Sequence, residues 1–321
     1  MSTAQIGLGL AALGRPGYIN LGHADDLAHD YAVAAMQARA HAVLDAAWAA
    51  GVRYFDAARS YGRAEAFLSS WLAARRIAPS PLTVASKWGY TYTAEWRVEA
   101  PRHEVKDHGL ATLDRQLGET RALLGAHLDL YQIHSATLDS GVLDDAAVLD
   151  RLADLRDDGI RVGLSVSGPN QADTLRRALQ IRRGGAPLFT AVQATWNLLE
   201  RAAAAALGEA HSAGWRVIVK EGLANGRLTG RNTAPSFDRQ RQALHDEATR
   251  RGCSADALAL AAALAQPWAD VVLSGAATVA QLTSNLRARA VVWDEAAERA
   301  LANLIETPDD YWQTRGRLEW N

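Results

Sequence analysis

The sequence predicts an α/β fold of the (β/α)8 barrel class, on the basis of three observations. Short apolar runs alternate with segments of helical periodicity along the 321 residues. Six of the runs are centred near positions 54, 85, 131, 163, 191 and 218, so they recur at about the length of one βα unit. No stretch rich in Pro, Gly or Ser interrupts the series, so we expect one domain over residues 1–321.

Eight apolar runs are predicted to form the buried parallel strands. They cover residues 6–10, 52–55, 82–85, 128–133, 160–166, 189–193, 215–219 and 271–273. The first run holds Gly7 and Gly9, which could instead begin a G-x-G-x-x-G dinucleotide turn. Because Gly14 is misplaced for that motif and no βαβ unit follows, we interpret both glycines as strand backbone.

The segments between these runs show helical spacing. One helical face consists of Met36, Ala40, Leu44, Ala47 and Trp48, and Gly51 can end that helix. Further helices are predicted over 113–124, 143–158, 171–182, 202–213 and 254–266. Two long connections, 88–109 and 222–246, are predicted to be functional loops at the C-terminal face of the barrel, the second leading into a polar helix.

The charge balance excludes some classes of partner. The chain has 34 Lys and Arg against 36 Asp and Glu, a net charge of −2, so it lacks the basic excess that draws nucleic acid or an anionic membrane. A single cysteine, Cys253, excludes an intramolecular disulfide and a multi-cysteine metal site. Without a signal peptide or an apolar stretch of roughly 20 residues, we expect a cytoplasmic protein.

The histidines and aspartates in HADDLAHD, residues 23–30, raise the alternative of a metal site. Their spacing has no obvious ligand geometry, so a solvated segment is favoured and no metal is expected.

Polar residues follow the second, third and fourth predicted strands. Asp56 ends the second run and Tyr61 comes shortly after it, Lys87 follows the third, and His134 follows the fourth. Because the carboxyl ends of parallel barrel strands open onto one face, we expect these four side chains to meet. Taken singly, each has an ordinary structural interpretation, such as a loop cap for Asp56 or a core histidine for His134. Together they favour a catalytic site.

The four residue types suit proton transfer to a carbonyl oxygen. A phenol has a pKa of about 10, so it donates a proton poorly unless its anion is stabilised. We expect Lys87 to lower the pKa of Tyr61 and Asp56 to hold Lys87 charged and positioned. His134 is expected to bind the substrate carbonyl or to relay a proton.

The segments GVRYFDAARSYG, ASKWG, LDLYQIH and LSGAATVAQLTSN, in this order, resemble the successive motifs of the aldo/keto reductase family. The resemblance spans nearly the whole chain. It implies a (β/α)8 barrel that binds a nicotinamide cofactor, usually NADPH, with Asp56, Tyr61, Lys87 and His134 as the catalytic tetrad.

The resemblance also implies a set of cofactor contacts. Those near the nicotinamide carboxamide are Ser165 and Gln193, and those around the phosphates are Leu223, Gly226, Arg231, Gly275, Thr278, Gln281 and Asn285. The implied cofactor is NADP, with NAD as the alternative. The neutral side chains near the end of the chain predict only a modest preference for NADPH.

The sequence departs from the family pattern at two places. Val166 stands where an Asn is frequent, and Lys220 with Glu221 replaces an aromatic residue followed by Ser. The aromatic residue normally stacks on the nicotinamide, so another side chain is needed there. The candidates are Trp88 and Trp196, and together with Tyr90 they are also candidates to line the substrate pocket. The alternative for Trp88 and Tyr90 is that they pack the long loop over the barrel mouth.

The predicted function is NAD(P)H-dependent reduction of an aldehyde or ketone, or the reverse reaction such as oxidation of an aldose, with Tyr61 as the proton donor or acceptor. The expected partner is a small carbonyl or sugar substrate. One alternative is a regulatory or sensor subunit that binds the cofactor with little turnover, and another is a barrel isomerase. Consumption of NADPH over a panel of carbonyl compounds distinguishes these three.

Overall fold

A computed structural model describes residues 4–321 and contains a closed barrel of eight parallel strands. The strands are β1 (Gln5–Gly9), β2 (Tyr54–Asp56), β3 (Thr83–Trp88), β4 (Leu128–Ala136), β5 (Arg161–Val166), β6 (Ala191–Thr195), β7 (Arg216–Lys220) and β8 (Val271–Ser274). Each strand pairs with the next, and β8 pairs with β1 to close the barrel. The predicted fold class is confirmed. Residues 1–3 of the predicted domain lie outside the described range.

Helices cover the outside of the barrel, as the βα alternation predicts. They are α1 (His23–Asp26), α2 (Val33–Ala49), α3 (Ala64–Arg75), α4 (Leu110–Leu124), α5 (Ala146–Asp157), α6 (Gln171–Leu179), α7 (Ala204–Ser212), α8 (Asp238–Arg250), α9 (Ala255–Leu264), α10 (Val279–Leu286), α11 (Glu295–Leu301) and α12 (Pro308–Gly316). The sequence interpretation missed α3, which buries Phe67, Leu68 and Trp71. It also missed α1 and the last three helices.

In the described residues, none of the helices is both long and apolar enough to cross a membrane.

A small apolar cluster of strand residues fills part of the barrel interior. Its members are Tyr54, Ala85, Leu130, Ala191, Ile218, Val271 and Leu273. Gly7 makes room for this cluster, because a Cβ atom there would lie 2.9 Å from Cγ1 of Val271 and 3.0 Å from Cδ1 of Tyr54. The glycine in β1 therefore serves packing, in agreement with its interpretation as strand backbone.

Long segments surround the carboxyl ends of the strands. The connection after β3 forms a short antiparallel hairpin of Tyr90–Tyr92 with Glu104–Lys106. The connection after β7 contains two 3-10 turns before α8. The chain after α12 returns to the loop that follows β1, where the backbone N–H groups of Tyr18 and Asn321 each donate to the other residue's carbonyl, at 3.1 and 3.2 Å. These segments form the walls of one deep cavity.

Candidate active site

A buried ion pair lies at the carboxyl ends of β2 and β3. Lys87 is fully buried, and its Nζ atom pairs with the carboxylate of Asp56 and donates to the carbonyl of Ala57 at 3.0 Å. The other carboxylate oxygen of Asp56 accepts a hydrogen bond from Nε2 of Gln193 at 2.8 Å. Both charges therefore have polar partners on several sides, which offsets the cost of removing them from water.

The phenol of Tyr61 lies beside this ion pair. Nζ of Lys87 is 5.0 Å from the centroid of the Tyr61 ring, and the ring of His134 meets that of Tyr61 edge to face at 5.4 Å between centroids. The structure thus brings together the four side chains that the sequence singles out. Asp56, Tyr61 and His134 line the cavity, whereas Lys87 lies behind them.

The pKa of Tyr61 is raised, which differs from the expectation that Lys87 would lower it. Burial of the phenol raises the pKa most, and the carboxylate of Asp56 raises it further, while the guanidinium of Arg15 opposes both. Because Asp56 pairs with Lys87, much of the effect of the ammonium on the phenol is cancelled. Tyr61 consequently keeps its proton at neutral pH.

His134 is held in its neutral form. Burial lowers its pKa well below the usual value, and the charges of Lys87 and Arg15 lower it further. Its Nδ1 atom lies 3.3 Å from Oγ of Ser60, and its backbone carbonyl is 2.9 Å from Nε2 of His108. These contacts fix the ring beside Tyr61 without adding a positive charge to the cavity.

The cavity has a volume of about 620 Å³ and runs from Tyr61 to the loops after β7 and β8. Seven of the predicted cofactor residues line it, namely Gln193, Leu223, Gly226, Arg231, Gly275, Gln281 and Asn285. The other two lie outside the lining. The hydroxyl of Ser165 accepts from the N–H of Ser135 at 2.8 Å, and that of Thr278 caps α10 by accepting from the N–H of Gln281 at 3.2 Å. Ser167, two residues after Ser165, does line the cavity.

The three aromatic residues proposed for the substrate pocket do not line the cavity. Trp88 is fully buried with its ring 5.7 Å from that of His108, and Trp196 packs against Trp268. The ring of Tyr90 meets that of His134, with 5.0 Å between the centroids. Trp88 and Tyr90 therefore pack around His108 and His134 and do not face the cavity.

Other aromatic and charged residues line the cavity beside Tyr61, and the sequence interpretation missed them. The guanidinium of Arg15 lies 5.3 Å from the ring centroid of Tyr61 and 4.7 Å from that of Trp320, and it pairs with Glu104 at 2.9 Å. Arg15 is a polar residue that follows β1. Polar residues after the later strands were assigned to the site because all barrel strands end on one face, and the same argument would have indicated Arg15. Trp320 follows no strand, and no sequence signal pointed to it.

Lys220 and Glu221 form a charged cluster at the carboxyl end of β7. Nζ of Lys220 donates to the hydroxyl of Thr195 at 2.8 Å and lies 3.8 Å from Glu221. Glu221, in a left-handed backbone conformation with φ 55°, makes a two-pronged ion pair with Arg315 at 2.6 to 3.0 Å. Both Lys220 and Glu221 line the cavity, so an ammonium stands where the family has an aromatic ring.

The charges in this cluster shift each other's pKa. Burial lowers the pKa of Lys220 to about 8, although Glu221 opposes the shift. Burial alone would raise the pKa of Glu221, but Arg315 and Lys220 together lower it to about 2. Glu221 is therefore ionised throughout the physiological range, and Lys220 carries most of a positive charge at pH 7.

The chain matches the model of the aldo/keto reductase family over residues 5–306. Two solved structures share the fold. The aldo-keto reductase AKR11C1 from Bacillus halodurans, in its holo form, has a TM-score of 0.70 and 19% identity, covering 96% of this chain and 94% of its own. The glycerol dehydrogenase AKR11B4 from Gluconobacter oxydans has a TM-score of 0.68 and 24% identity, covering 94% of this chain and 91% of its own. No curated protein matches the chain.

The eight-stranded barrel and the family match over residues 5–306 define an oxidoreductase of the barrel type. The chain belongs to the aldo/keto reductase family, whose members reduce carbonyl compounds.

Proposed function

We propose that this chain reduces an aldehyde or ketone with NADPH or NADH, or catalyses the reverse oxidation, and that Tyr61 supplies the proton. The observation that carries the proposal is the position of Tyr61, which lines the cavity and has the centroid of its ring 5.0 Å from Nζ of the buried Lys87 that pairs with Asp56. A proton donor that faces the ligand space, with a fixed cation behind it, suits protonation of a carbonyl oxygen.

The cavity fits a nicotinamide dinucleotide. It continues from Tyr61 to Arg231 and Gln281, so it is elongated as such a ligand requires. Asn225 also lines it, and Oδ1 of Asn225 is buried without a hydrogen-bond partner among residues 4–321. A buried acceptor of this kind is satisfied when a ligand donates to it, as a ribose hydroxyl or an amide can. Gln193, Leu223 and Asn225 would then hold the cofactor.

A reduced nicotinamide supplies the hydride when it is bound. The developing alkoxide is more basic than a phenolate, so Tyr61 can transfer its proton even with a raised pKa. Lys87, whose Nζ atom lies 5.0 Å from the centroid of the Tyr61 ring, then stabilises the phenolate, and Asp56 keeps the ammonium in place. Neutral His134, edge-on to the Tyr61 ring, orients the carbonyl by hydrogen bonding.

The cavity wall near Tyr61 favours a hydroxylated substrate. Its members there include the hydroxyls of Ser135 and Ser167 and the charged groups of Arg15 and Lys220. Hydroxyl and charged groups recognise the hydroxyls of a sugar or polyol better than an aliphatic chain. We therefore expect aldoses and other hydroxylated carbonyl compounds to be better substrates than alkyl aldehydes of equal length.

The test compares wild type with Tyr61→Phe in steady-state NADH and NADPH consumption over a panel of hydroxylated and alkyl carbonyl compounds. We expect the variant to lose at least about two orders of magnitude in turnover, because general acid catalysis supplies that much, with little change in cofactor Kd. Tyr31→Phe removes a phenolic hydroxyl outside the cavity and should leave turnover unchanged. Equal turnover by Tyr61→Phe and wild type would remove Tyr61 from the mechanism. Cofactor binding by wild type without any turnover would indicate a sensor.

A further inference from the structure

The end of the cavity away from Tyr61 is built from three separate segments. The loop after β1 contributes Leu21, the loop after β7 contributes Arg231, and α10 contributes Gln281 and Ser284. If the nicotinamide ring of a dinucleotide lies at Tyr61, its adenosine half occupies this opposite end of the cavity. The inference that follows therefore rests on the proposed function.

Arg231 is the guanidinium that faces this end, and its terminal nitrogens are already occupied. Nη1 donates to Oδ2 of Asp26 at 2.7 Å and to the carbonyls of Leu21 and Gly22 at 3.0 and 2.9 Å. Nη2 donates to Oδ1 of the same carboxylate. The fork that could hold a phosphate through two hydrogen bonds is thus bound to a carboxylate of this chain.

Gln281, the second side chain implied to contact the adenosine phosphate, is occupied in the same way. Its Nε2 atom donates to Oδ1 of Asp26 at 2.8 Å, and its Oε1 atom accepts from the N–H of Ala277 at 2.8 Å. Asp26 therefore takes hydrogen bonds from both side chains that a phosphate would need.

The carboxylate of Asp26 is held firmly. Its side chain is only 3% exposed, and its backbone N–H donates to the carbonyl of Gly22 at 3.2 Å. The loop is attached to the segment after β7 through a bond from the N–H of Leu21 to the carbonyl of Asn225 at 3.1 Å. Gly22 has a positive φ of 71°, a backbone conformation that favours glycine, and a Cβ atom there would lie 2.9 Å from Nη1 of Arg231. An incoming anion cannot displace Asp26 without moving the loop.

The other lysine and arginine side chains of the lining, within the described residues, also have carboxylate partners. Arg15 pairs with Glu104, and Arg315 and Lys220 both contact Glu221. Asp256 adds a further carboxylate to the wall. In the part of the chain that the structure describes, every Lys and Arg side chain of this lining is therefore paired with a carboxylate, and none is left unpaired to bind the 2′-phosphate of NADP(H).

We propose that Asp26 sets the cofactor specificity of this chain, by neutralising Arg231 and disfavouring the 2′-phosphate of NADP(H). That phosphate carries close to two negative charges at pH 7. Asp26 does not line the cavity, but it accepts hydrogen bonds from Arg231 and Gln281, which do, so a phosphate bound by those two side chains would stand near a fixed negative charge. Placing like charges together is a strong means of rejecting one of two similar ligands. NADH lacks the 2′-phosphate and avoids this repulsion.

The first test uses wild type alone. Titration of NADH and of NADPH, followed by quenching of tryptophan fluorescence, yields the two Kd values, and competition by 5′-AMP and by adenosine 2′,5′-bisphosphate isolates the 2′-phosphate. We expect NADH to bind at least as tightly as NADPH, and 5′-AMP to compete at least as well as adenosine 2′,5′-bisphosphate. A preference for the 2′-phosphorylated ligands overturns the proposal about Asp26 while leaving the proposed function intact. If neither dinucleotide binds, the proposed function fails, and the inference fails with it.

The second test compares Asp26→Asn with Asp25→Asn. Asp25 is the neighbouring residue, its side chain is 80% exposed, and its side-chain contact is with His29, so it controls for the change in net charge. Asp26→Asn frees Arg231, and we expect the ratio of NADH Kd to NADPH Kd to rise about fivefold or more, with no change in Asp25→Asn. A smaller rise, or an equal rise in the control, overturns the proposal. If Asp26→Asn fails to fold, as judged by circular dichroism, the wild-type titrations decide the question.

Discussion

The ammonium of Lys87 and the carboxylate of Asp56 form an ion pair in which Lys87 has no exposed surface and Asp56 has 2%. Nζ of Lys87 lies 5.0 Å from the centroid of the Tyr61 ring. Because water cannot screen these charges, each depends on the other for stabilisation, and the phenol experiences both. Stability and catalysis are therefore linked at this pair.

We expect Lys87→Met to lower turnover, because an apolar side chain cannot stabilise the phenolate that Tyr61 would become in the proposed mechanism. The free energy of unfolding should fall by about 3 to 5 kcal/mol, since Asp56 is left as a buried carboxylate without its cation. In the double variant Asp56→Asn with Lys87→Met, stability should partly recover while turnover stays low. Urea denaturation and steady-state kinetics measure the two effects. A double variant less stable than Lys87→Met would contradict this account.

Lys220 should make stability increase with pH above neutrality. Its pKa is about 8 in the folded chain and 10.5 without the fold, so between these values the unfolded chain binds more protons. The free energy of unfolding then rises with pH, because deprotonation removes the cost of burying the charge. Relative to Lys220→Met, wild type should gain about 3 kcal/mol between about pH 7.5 and 10.5. A constant difference between the two in urea denaturation would show that Lys220 does not titrate in this window.

Glu221 should also make stability rise with pH, but in the acid range. Its pKa is about 2 in the folded chain against 4.5 without the fold, so its stabilising effect is complete above pH 4.5 and is lost as the pH falls toward 2. We expect Glu221→Gln to be less stable than wild type at neutral pH, with the gap narrowing by about 3 kcal/mol over that acid range. Thermal unfolding at a series of acid pH values measures the gap. A gap of the same size at every pH would contradict the assigned pairing with Arg315.

Gly14 should control the position of Tyr61. A Cβ atom on Gly14 would lie 2.2 Å from the carbonyl oxygen of Tyr61 and 2.5 Å from Cβ of Ala64, so the loop that carries the phenol must shift. Gly14→Ala should therefore lower turnover by about one to two orders of magnitude, the effect of a misplacement near 1 Å. Gly118→Ala is the matched control, because its Cβ atom would meet open space on α4. It should keep full activity and gain about 0.5 to 1 kcal/mol of stability. Equal activity of both variants would disprove the steric coupling.

The sequence alone was sufficient for the barrel and for the meeting of Asp56, Tyr61, Lys87 and His134. Buried parallel strands must be short and apolar, and helices on a barrel must be amphipathic, so both leave a periodic pattern in the chain. Since every strand of a parallel barrel ends on one face, the residue after each apolar run can be assigned to the site without knowledge of any contact. The helix α3 was not predicted, although its buried residues Phe67, Leu68, Trp71 and Leu72 have helical spacing.

Only the tertiary structure decided which side chains face each other across the cavity. Periodicity indicates that a residue is buried but not which residue it contacts, so Trp88 was predicted to line the pocket and instead packs behind it. The pairing of Asp26 with Arg231 joins residues 205 positions apart, and no local pattern encodes it. The raised pKa of Tyr61 likewise depends on how deeply the ring is buried and on the distance to charges from other strands. These properties arise when the closed barrel buries the groups and brings together residues that are far apart in the sequence, so only the tertiary structure determines them.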